Sequence, residues 1–381
     1  MKEYFSKKEY KYMYLGNVSY SFANALISTF GTVMLYKNGI PIWLILLIYG
    51  LRFGITGLCT PLFISISSKF GIAKCILISN IFSVISAYMM LDGTSIYRNI
   101  IIFVLAMGFM GISNPYTDAL SSRYVDSGHR GKVNSFLNVT KILGTAIASC
   151  LVAWGVIFNT TIVLFIIISI FFFLQYVFIK KIDYKVENKE SAFKESMKYI
   201  FRSKSRYKII YALRTNHIIE RQFVPLYLYI VLKDFSLFSS IIVVSLLLQV
   251  ITLILIGKYS DKDILKSNDL VTIIKTIITG VFLFARSKVI ISANKALSDN
   301  FEKVYDTSIQ TSIQNIIKIQ KENKELLSAV GQMCLCFTEV VVFAILALLS
   351  GFIGEKVFIA IFGLSIMSTI CIKGNIKKEI Q

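Results

Sequence analysis

Long apolar runs, divided into two series by one basic stretch, constrain this chain more than any other feature. The first series ends near Ile179, a basic stretch follows from Lys180 to Lys208, and the second series ends near Ile372. Each run approaches the roughly 20 residues that a helix needs to cross the hydrocarbon core of a bilayer. Hydrophobic residues make up 55% of the chain, and the mean hydropathy is +0.66. A water-soluble protein is therefore excluded, and the chain acts in or across a membrane.

Twelve such runs can be counted, and we expect each of them to be a helix. Lipid offers no hydrogen-bond partners, so a spanning segment must satisfy its own backbone, and the alternating pattern of a membrane β-barrel is absent. The predicted fold is an all-α integral membrane protein with twelve transmembrane helices in two six-helix bundles. The bundles comprise residues 1–180 and 207–381, and a cytoplasmic linker over 181–206 joins them. The runs lie at about 14–36, 40–66, 73–92, 97–121, 133–156, 159–180, 207–232, 235–257, 269–286, 289–312, 326–350 and 354–372.

The net charge of +19 is explained by membrane topology and needs no nucleic-acid partner. With twelve helices and an inner N-terminus, 28 of the 41 Lys and Arg residues fall in inner segments and 6 in outer ones. Positive residues accumulate on the cytoplasmic side of membrane proteins. We therefore expect a multi-pass protein of the cytoplasmic membrane, surrounded by its lipids, with both termini in the cytoplasm.

Metal and cofactor chemistry find little support in the sequence. Of the six cysteines none falls in a predicted outer loop, and the only histidines are His129 and His217. We therefore expect no disulfide framework, no metal site and no cofactor. No nucleophile and base stand at a recognisable spacing, so the sequence predicts no enzyme.

The tenth run is the hardest to assign, because Val289–Asn315 carries many charges. If this run were not a transmembrane helix, only eleven helices would cross the membrane, and the basic C-terminal tail would lie outside the cell. The run also repeats part of the fourth run: Tyr116–Ser122, with Asp118, resembles Tyr305–Ser312, with Asp306. Internal repeats are typical of transporter folds. The alternative is an amphipathic helix on the inner membrane surface. The following polar residues share one face of the predicted helix: Lys295, Asp299, Glu302, Lys303, Asp306 and Gln310.

Two predicted cytoplasmic loops carry a related motif. Each loop follows the second helix of its half. The first contains Lys69, Gly71 and Lys74, with Ser68 where an aspartate belongs. The second contains Gly257, Asp261 and Lys262. Together they resemble the loop motif Gly-x-x-x-Asp-Arg/Lys-x-Gly of the major facilitator superfamily, and the helix count, the two halves and the basic linker extend this resemblance over nearly the whole chain.

The resemblance implies two bundles that rock around a central site, with alternating access to the two sides of the membrane. The motif would then be a latch that closes in one conformation only. The expected function is secondary active transport of a small organic solute by a monomer, coupled to an ion, most simply a proton, with export preferred. Two alternatives remain: uptake of a zwitterionic or anionic nutrient, and a receptor or immunity protein that keeps the fold without transporting.

Ionisable residues at membrane depth are costly and mark functional sites. In the seventh helix, Arg214, His217 and Arg221 share one face, and Glu220 lies one turn from His217. Histidine titrates near neutral pH, so a pair of His217 and Glu220 is a candidate proton-coupling element. The alternative is a static ion-pair network that fixes the helix.

Three further charges reach similar depth: Arg52, Lys141 and Glu339. They would join Asp299 and Glu302 around one volume, which leaves two interpretations. Either Glu339 pairs with Arg52 or Lys141 and ties the bundles together, or the charges hold an anionic or zwitterionic solute. Desolvated charges need partners in both cases. Lys275 is expected near the inner end of its helix, with its amine reaching the membrane surface.

Overall fold

The computed structural model describes residues 8–24, 26–92, 96, 98–111, 130–157, 160–182, 192–202, 207–256, 264–319 and 324–380. Within these ranges the chain forms fourteen α-helices and no strand. The helices of the first half are α1 Lys8–Ala23, α2 Gly31–Lys37, α3 Ile42–Phe70, α4 Ile72–Asp92, α5 Ile100–Met110, α6 Arg130–Ile157 and α7 Thr161–Ile179. A π-helical turn, Leu26–Phe30, lies between α1 and α2.

The second half begins with a helix that the sequence analysis did not predict, α8 Ala192–Arg202, in the linker. Six further helices follow: α9 Tyr207–Leu232, α10 Phe235–Ile256, α11 Ile264–Phe284, α12 Lys288–Ile319, α13 Lys324–Ile353 and α14 Val357–Ile380. A 3-10 turn, Gly354–Lys356, separates α13 from α14. Each of the twelve predicted runs therefore corresponds to a helix or, for the first run, to α1 and α2 with the turn between them.

By length and composition alone, four helical stretches are apolar enough to cross a membrane: Ile42–Leu62, Ile72–Asp92, Ile162–Ile179 and Ala329–Ile376. Four shorter apolar helices accompany them. α9 and α12 fall below this standard because both carry several charges. α12 nevertheless packs against α9, α10 and α11, and its polar residues Lys295, Asn300 and Glu302 are buried. Since a surface helix would expose that polar face, this packing argues against the amphipathic alternative.

The two halves meet mainly along two helix pairs, α3 with α13 and α6 with α10. Glycines make the first approach possible. A Cβ atom at Gly50 would lie 3.0 Å from the Cβ of Phe343, and one at Gly57 would lie 2.8 Å from the Cβ of Cys336. The absence of side chains at these positions lets the backbones of α3 and α13 come close.

The first copy of the loop motif lies at the end of α3. Gly71 has φ +84 and its N–H donates to the Ser67 carbonyl at 2.8 Å. This conformation favours glycine because it has no Cβ atom. Lys69 and Lys74 are both exposed. Gly257, Asp261 and Lys262 lie outside the described residues, so the latch stays a prediction.

α12 should thread the membrane, and impermeant thiol labelling measures this. Its 32 residues span about 48 Å at 1.5 Å per residue, enough to cross the bilayer. Lys288→Cys and Lys318→Cys, each in a background without the native cysteines, should react from opposite sides of the membrane. Labelling of both positions from one side would contradict the twelve-helix fold.

Candidate functional site

A polar cavity of about 360 Å³ lies between the two halves. From the first half it is lined by α1, α3, the end of α5 and α6, and from the second half by α9 and α13. The described charged residues on its wall are all cations: Arg52, Lys141, Arg214 and Arg221. The cavity thus has a positive wall to which both halves contribute.

A second cavity of about 310 Å³ adjoins the first one on the side of α10 and α12. Tyr20, Ser21, Asn24, Lys141 and Arg221 line both cavities. The second cavity adds Lys295 and Asp299 from α12. Because so many lining residues are shared, the two cavities form one continuous central site.

Two cations of the site have no carboxylate within ion-pair distance in the described part of the chain. Arg52 instead lies over aromatic rings, with its guanidinium carbon 4.8 Å from the Phe53 centroid and 5.4 Å from the Tyr49 centroid. Its Nε is buried and has no hydrogen-bond partner among the residues that the structure describes. The guanidinium carbon of Arg214 lies 5.5 Å from the Tyr211 ring centroid. Both guanidinium groups are therefore positioned by aromatic rings and keep unused donors toward the cavity.

Two further cations of the site, Arg221 and Lys295, form ion pairs with carboxylates of α12. Arg221 Nη1 lies 3.3 Å from Asp306 Oδ2, and nearly half of the Arg221 side chain is exposed. Lys295 pairs with Asp299 one turn later, and Ser245 of α10 donates to the same carboxylate. Asp299, the single carboxylate among the described lining residues, is thus already neutralised by a neighbour.

A second charged cluster lies wholly within the second half, behind the cavity wall. Lys275 Nζ of α11 lies 3.0 Å from Glu220 Oε1 and 3.4 Å from Glu302 Oε2. Lys275 and Glu220 have no exposed side-chain surface, and Glu302 has 7%. Thr279 donates to Glu220 at 3.1 Å, and Ser365 of α14 donates to its other oxygen. One buried ammonium therefore holds two buried carboxyl groups.

His217 joins this cluster through hydroxyl groups. Its Nδ1 lies 3.2 Å from Ser365 Oγ and its Nε2 lies 3.2 Å from Tyr305 Oη. Since the Ser365 proton goes to Glu220, Ser365 Oγ accepts from Nδ1–H, and the Tyr305 hydroxyl donates to Nε2; this proton assignment follows from the hydrogen-bond network. The result is a continuous hydrogen-bonded chain from Tyr305 through His217 and Ser365 to Glu220.

An aromatic layer joins the halves at the end of the bundle where α2 ends and α3 begins. Phe30 contacts Phe238 with 5.9 Å between ring centroids, and Tyr36 contacts Tyr229 at 6.4 Å. Closer to the cavity, the Thr32 hydroxyl donates to the Gln222 carbonyl at 2.9 Å. These contacts close the site at that end.

Comparison with known proteins identifies the family. The sequence model described as Major Facilitator Superfamily matches residues 13–296. The chain belongs to the Major Facilitator Superfamily. It is therefore a multi-pass membrane protein of a transporter family, and this membership supports a transporter and not an enzyme. A search of curated proteins gave no match.

Solved structures of superfamily transporters share the fold at low identity. The human organic anion transporter MFSD10 (TETRAN) is 12% identical, with a TM-score of 0.68 over 95% of this chain and 98% of the other. A bacterial homologue of the iron transporter ferroportin, in an outward-facing state, is 11% identical, with a TM-score of 0.65 over 98% and 99%. The same homologue soaked with iron is 12% identical, with a TM-score of 0.67 over 97% and 99%.

In this superfamily fold the predicted site residues divide into two groups. The cavity wall holds Arg52, Lys141, Arg214, Arg221 and Asp299. The buried cluster holds His217, Glu220 and Glu302. Asp306 connects the two groups, because it is paired with Arg221 of the cavity wall. Asp118 lies outside the described residues, so its role stays a prediction.

The expectation for Lys275 was wrong, and of the two interpretations of Glu339 the ion pair is not formed in this conformation. Glu339 is fully buried on α13, and neither of its carboxyl oxygens has a hydrogen-bond partner among the described residues, so no ion pair to Arg52 or Lys141 ties the halves together. Lys275 does not reach the membrane surface, because it lies in the middle of α11 and is entirely buried. Its threonine neighbours Thr272 and Thr279, one turn before and after it, are the sequence signal for this buried polar face.

Proposed function

We propose that this chain is a secondary active transporter that moves a small organic anion across the cytoplasmic membrane by alternating access. One observation carries the proposal: the described wall of the central site has five cationic side chains and one carboxylate, and that carboxylate is paired with Lys295. A site of about 360 Å³ and its 310 Å³ extension suit a small or medium solute.

Electrostatics favours an anion over other solutes. Charges in a site with little water attract each other much more strongly than they do in bulk water. Arg52 and Arg214 keep guanidinium donors that a carboxylate, sulfonate or phosphate group would satisfy with charge-assisted hydrogen bonds. A cation would need free carboxylates, which the described wall lacks. Of the two neighbours, the human organic anion transporter therefore offers the better chemical parallel, and the iron transporter homologue the poorer one.

Proton movement is proposed as the driving force, through the buried cluster that contains His217 and Glu220. Ionisable groups at this depth are expensive to bury and are typical of proton relays. With both termini in the cytoplasm, the aromatic layer around Phe30 and Tyr36 closes the outer side. The sequence analysis favours export and leaves uptake as its alternative. The two differ in the side of the membrane to which the site opens after it has bound the solute.

A ligand panel followed by flux in liposomes tests this proposal. Purified protein should be stabilised against heat by members of an anion series, namely acetate, benzoate, succinate, citrate and glucose 6-phosphate. Glucose, choline and ferrous iron should leave its melting temperature unchanged. The stabilising anion should then exchange across proteoliposome membranes and accumulate when a proton gradient is imposed, and the sign of the effective gradient distinguishes export from uptake. Stabilisation by choline or iron without any effect of the anions would overturn the proposal.

A further inference from the structure

We propose that Glu302 carries the transported proton. We also propose that the ion pair between Arg221 and Asp306 couples the protonation of Glu302 to the binding of an anion in the cavity. This inference rests on the proposed transport of an organic anion. It moves the coupling proton from His217 and Glu220, where the sequence analysis places it, to a residue on α12.

The charge balance of the buried cluster requires one proton. Lys275 supplies one positive charge, whereas Glu220 and Glu302 together supply two negative charges when both are ionised. A buried charge without a partner is costly, and titratable groups in such sites take up a proton instead. Binding of a single proton to one of the two carboxylates makes the cluster neutral.

The hydrogen bonds indicate which of the two carboxyl groups takes the proton. Glu220 accepts from Lys275, Thr279 and Ser365, and three donors hold a carboxylate in its ionised form. Glu302 accepts only from Lys275 among the described residues, at the longer distance of 3.4 Å. Glu302 also keeps 7% of its side chain exposed, so a proton can reach it from water and leave it again.

The charged and titratable surroundings of Glu302 come from three helices. α9 supplies Glu220, Arg221 and His217, α11 supplies Lys275, and α12 itself supplies Tyr305 and Asp306. α10 has no charged residue, and α14 contributes the hydroxyls of Ser365 and Thr369. On α13, the buried Glu339 interacts electrostatically with three cations of the cavity wall, Arg52, Arg214 and Arg221. Asp299, one turn before Glu302 on α12, is bound to Lys295, whereas Asp306 is bound to Arg221, the cation that lines both cavities.

The pair between Arg221 and Asp306 links the cavity to the cluster. Arg221 lines both cavities and binds Asp306 at 3.3 Å. Asp306 follows Glu302 by four residues, so the two carboxyl groups are neighbours on one face of α12. An anion that binds Arg221 competes with Asp306 for the guanidinium. Asp306 then loses the positive charge of Arg221 that offsets its own, which favours a proton on Glu302, because like charges disfavour ionisation.

This arrangement makes the anion and the proton bind together. Linkage is reciprocal, so a proton on Glu302 strengthens anion binding by the same factor by which the anion strengthens proton binding. The proton comes from water on one side, resides on a Glu302 oxygen during the conformational change, and returns to water on the other side. Joint movement of both species is symport, and an inward proton gradient then drives uptake. The inference therefore supports the uptake alternative over export.

An infrared measurement on purified protein, without added solute, tests the proton site. At one fixed near-neutral pH, a protonated carboxyl group gives a C=O stretching band that a carboxylate lacks. Glu302→Gln should lose this band and His217→Gln should keep it, while Glu339→Gln serves to subtract the contribution of that buried acid. Arg221→Gln, which releases Asp306 as a bound anion would, should increase the band. The double variant Arg221→Gln/Asp306→Asn should return it to the wild-type intensity.

The alternatives give different results. Survival of the band in Glu302→Gln, or equal intensities in the wild type and Arg221→Gln, overturns the inference, and loss of the band in His217→Gln assigns the proton to the histidine network. Glu302→Gln leaves the Lys275–Glu220 pair balanced, so its melting temperature should match that of the control Glu9→Gln, at the start of α1. In proteoliposomes Glu302→Gln should exchange the anion but lose accumulation driven by protons. Failure of every anion to bind would overturn the proposed function and leave the infrared bands unchanged.

Discussion

Replacement of Lys275 by methionine should destabilise the folded protein more than any other single change in the described site. Methionine keeps most of the side-chain volume but removes the one cation that, among the described residues, contacts both Glu220 and Glu302. Removal of one partner from a buried ion pair costs about 3–5 kcal/mol, because the remaining charge stays buried without compensation. We expect a lower melting temperature in detergent and lower yields of folded protein in the membrane.

An exposed lysine provides the matched control. Lys288 is exposed at the start of α12, so Lys288→Met should leave the melting temperature close to that of the wild type. The double variant Lys275→Met/Glu220→Gln should recover part of the loss, since Glu302 alone can be neutralised by a proton. If Lys275→Met melts at the same temperature as Lys288→Met, the cluster does not contribute to stability as described.

The helices could be predicted from the sequence because their signal is local. An apolar run of the right length becomes a helix in lipid regardless of its neighbours. α12 was harder, since hydropathy alone argues against it, and only the charge distribution and the repeat around Tyr305 favoured it. The linker helix α8 was missed because it is short and polar, and its contacts with α3 and α13 are tertiary.

The pairing of the charges could not be predicted from the sequence, because pairing depends on helix rotation and on contacts between distant segments. Lys275 lies 55 residues from Glu220 and 27 from Glu302 along the chain. A lone lysine in an apolar run is as consistent with a snorkelling side chain as with a buried ion pair. Helix spacing did predict that the faces of α9 and α12 are polar, but not that Glu220 turns toward α11 while Arg221 turns toward the cavity.

The contact between the two halves shows, at Glu339, that charge pairing cannot be predicted from the sequence. The sequence places a carboxylate on α13 and a cation, Arg52, on α3 at similar depth, and α3 and α13 do pack together. The two nevertheless form no ion pair in this structure, because the guanidinium of Arg52 lies over Tyr49 and Phe53. Arg52 is therefore held by rings of its own helix at the cavity wall, where we propose that its charge binds the solute.

Arg52→Gln should weaken anion binding by about 10- to 100-fold, because a hydrogen bond to a charged group contributes about 1.5–3 kcal/mol. Arg52→Lys should have an intermediate effect, since lysine keeps the charge but loses the planar fork and its stacking on Phe53. The measurement is the concentration dependence of thermal stabilisation by the best anion of the panel, repeated at several salt concentrations. Added salt should weaken binding to the wild type more than binding to Arg52→Gln, because the variant has lost one attractive charge.

The control for Arg52 is Arg98, an exposed arginine before α5 and outside both cavities. Arg98→Gln removes the same charge from the protein and should leave anion affinity unchanged. Equal losses in Arg52→Gln and Arg98→Gln would mean that only the overall positive charge attracts the solute. An unchanged affinity in Arg52→Gln would remove this arginine from the site, and the anion would then have to be bound through Arg214, Arg221 and Lys141 on the remaining wall.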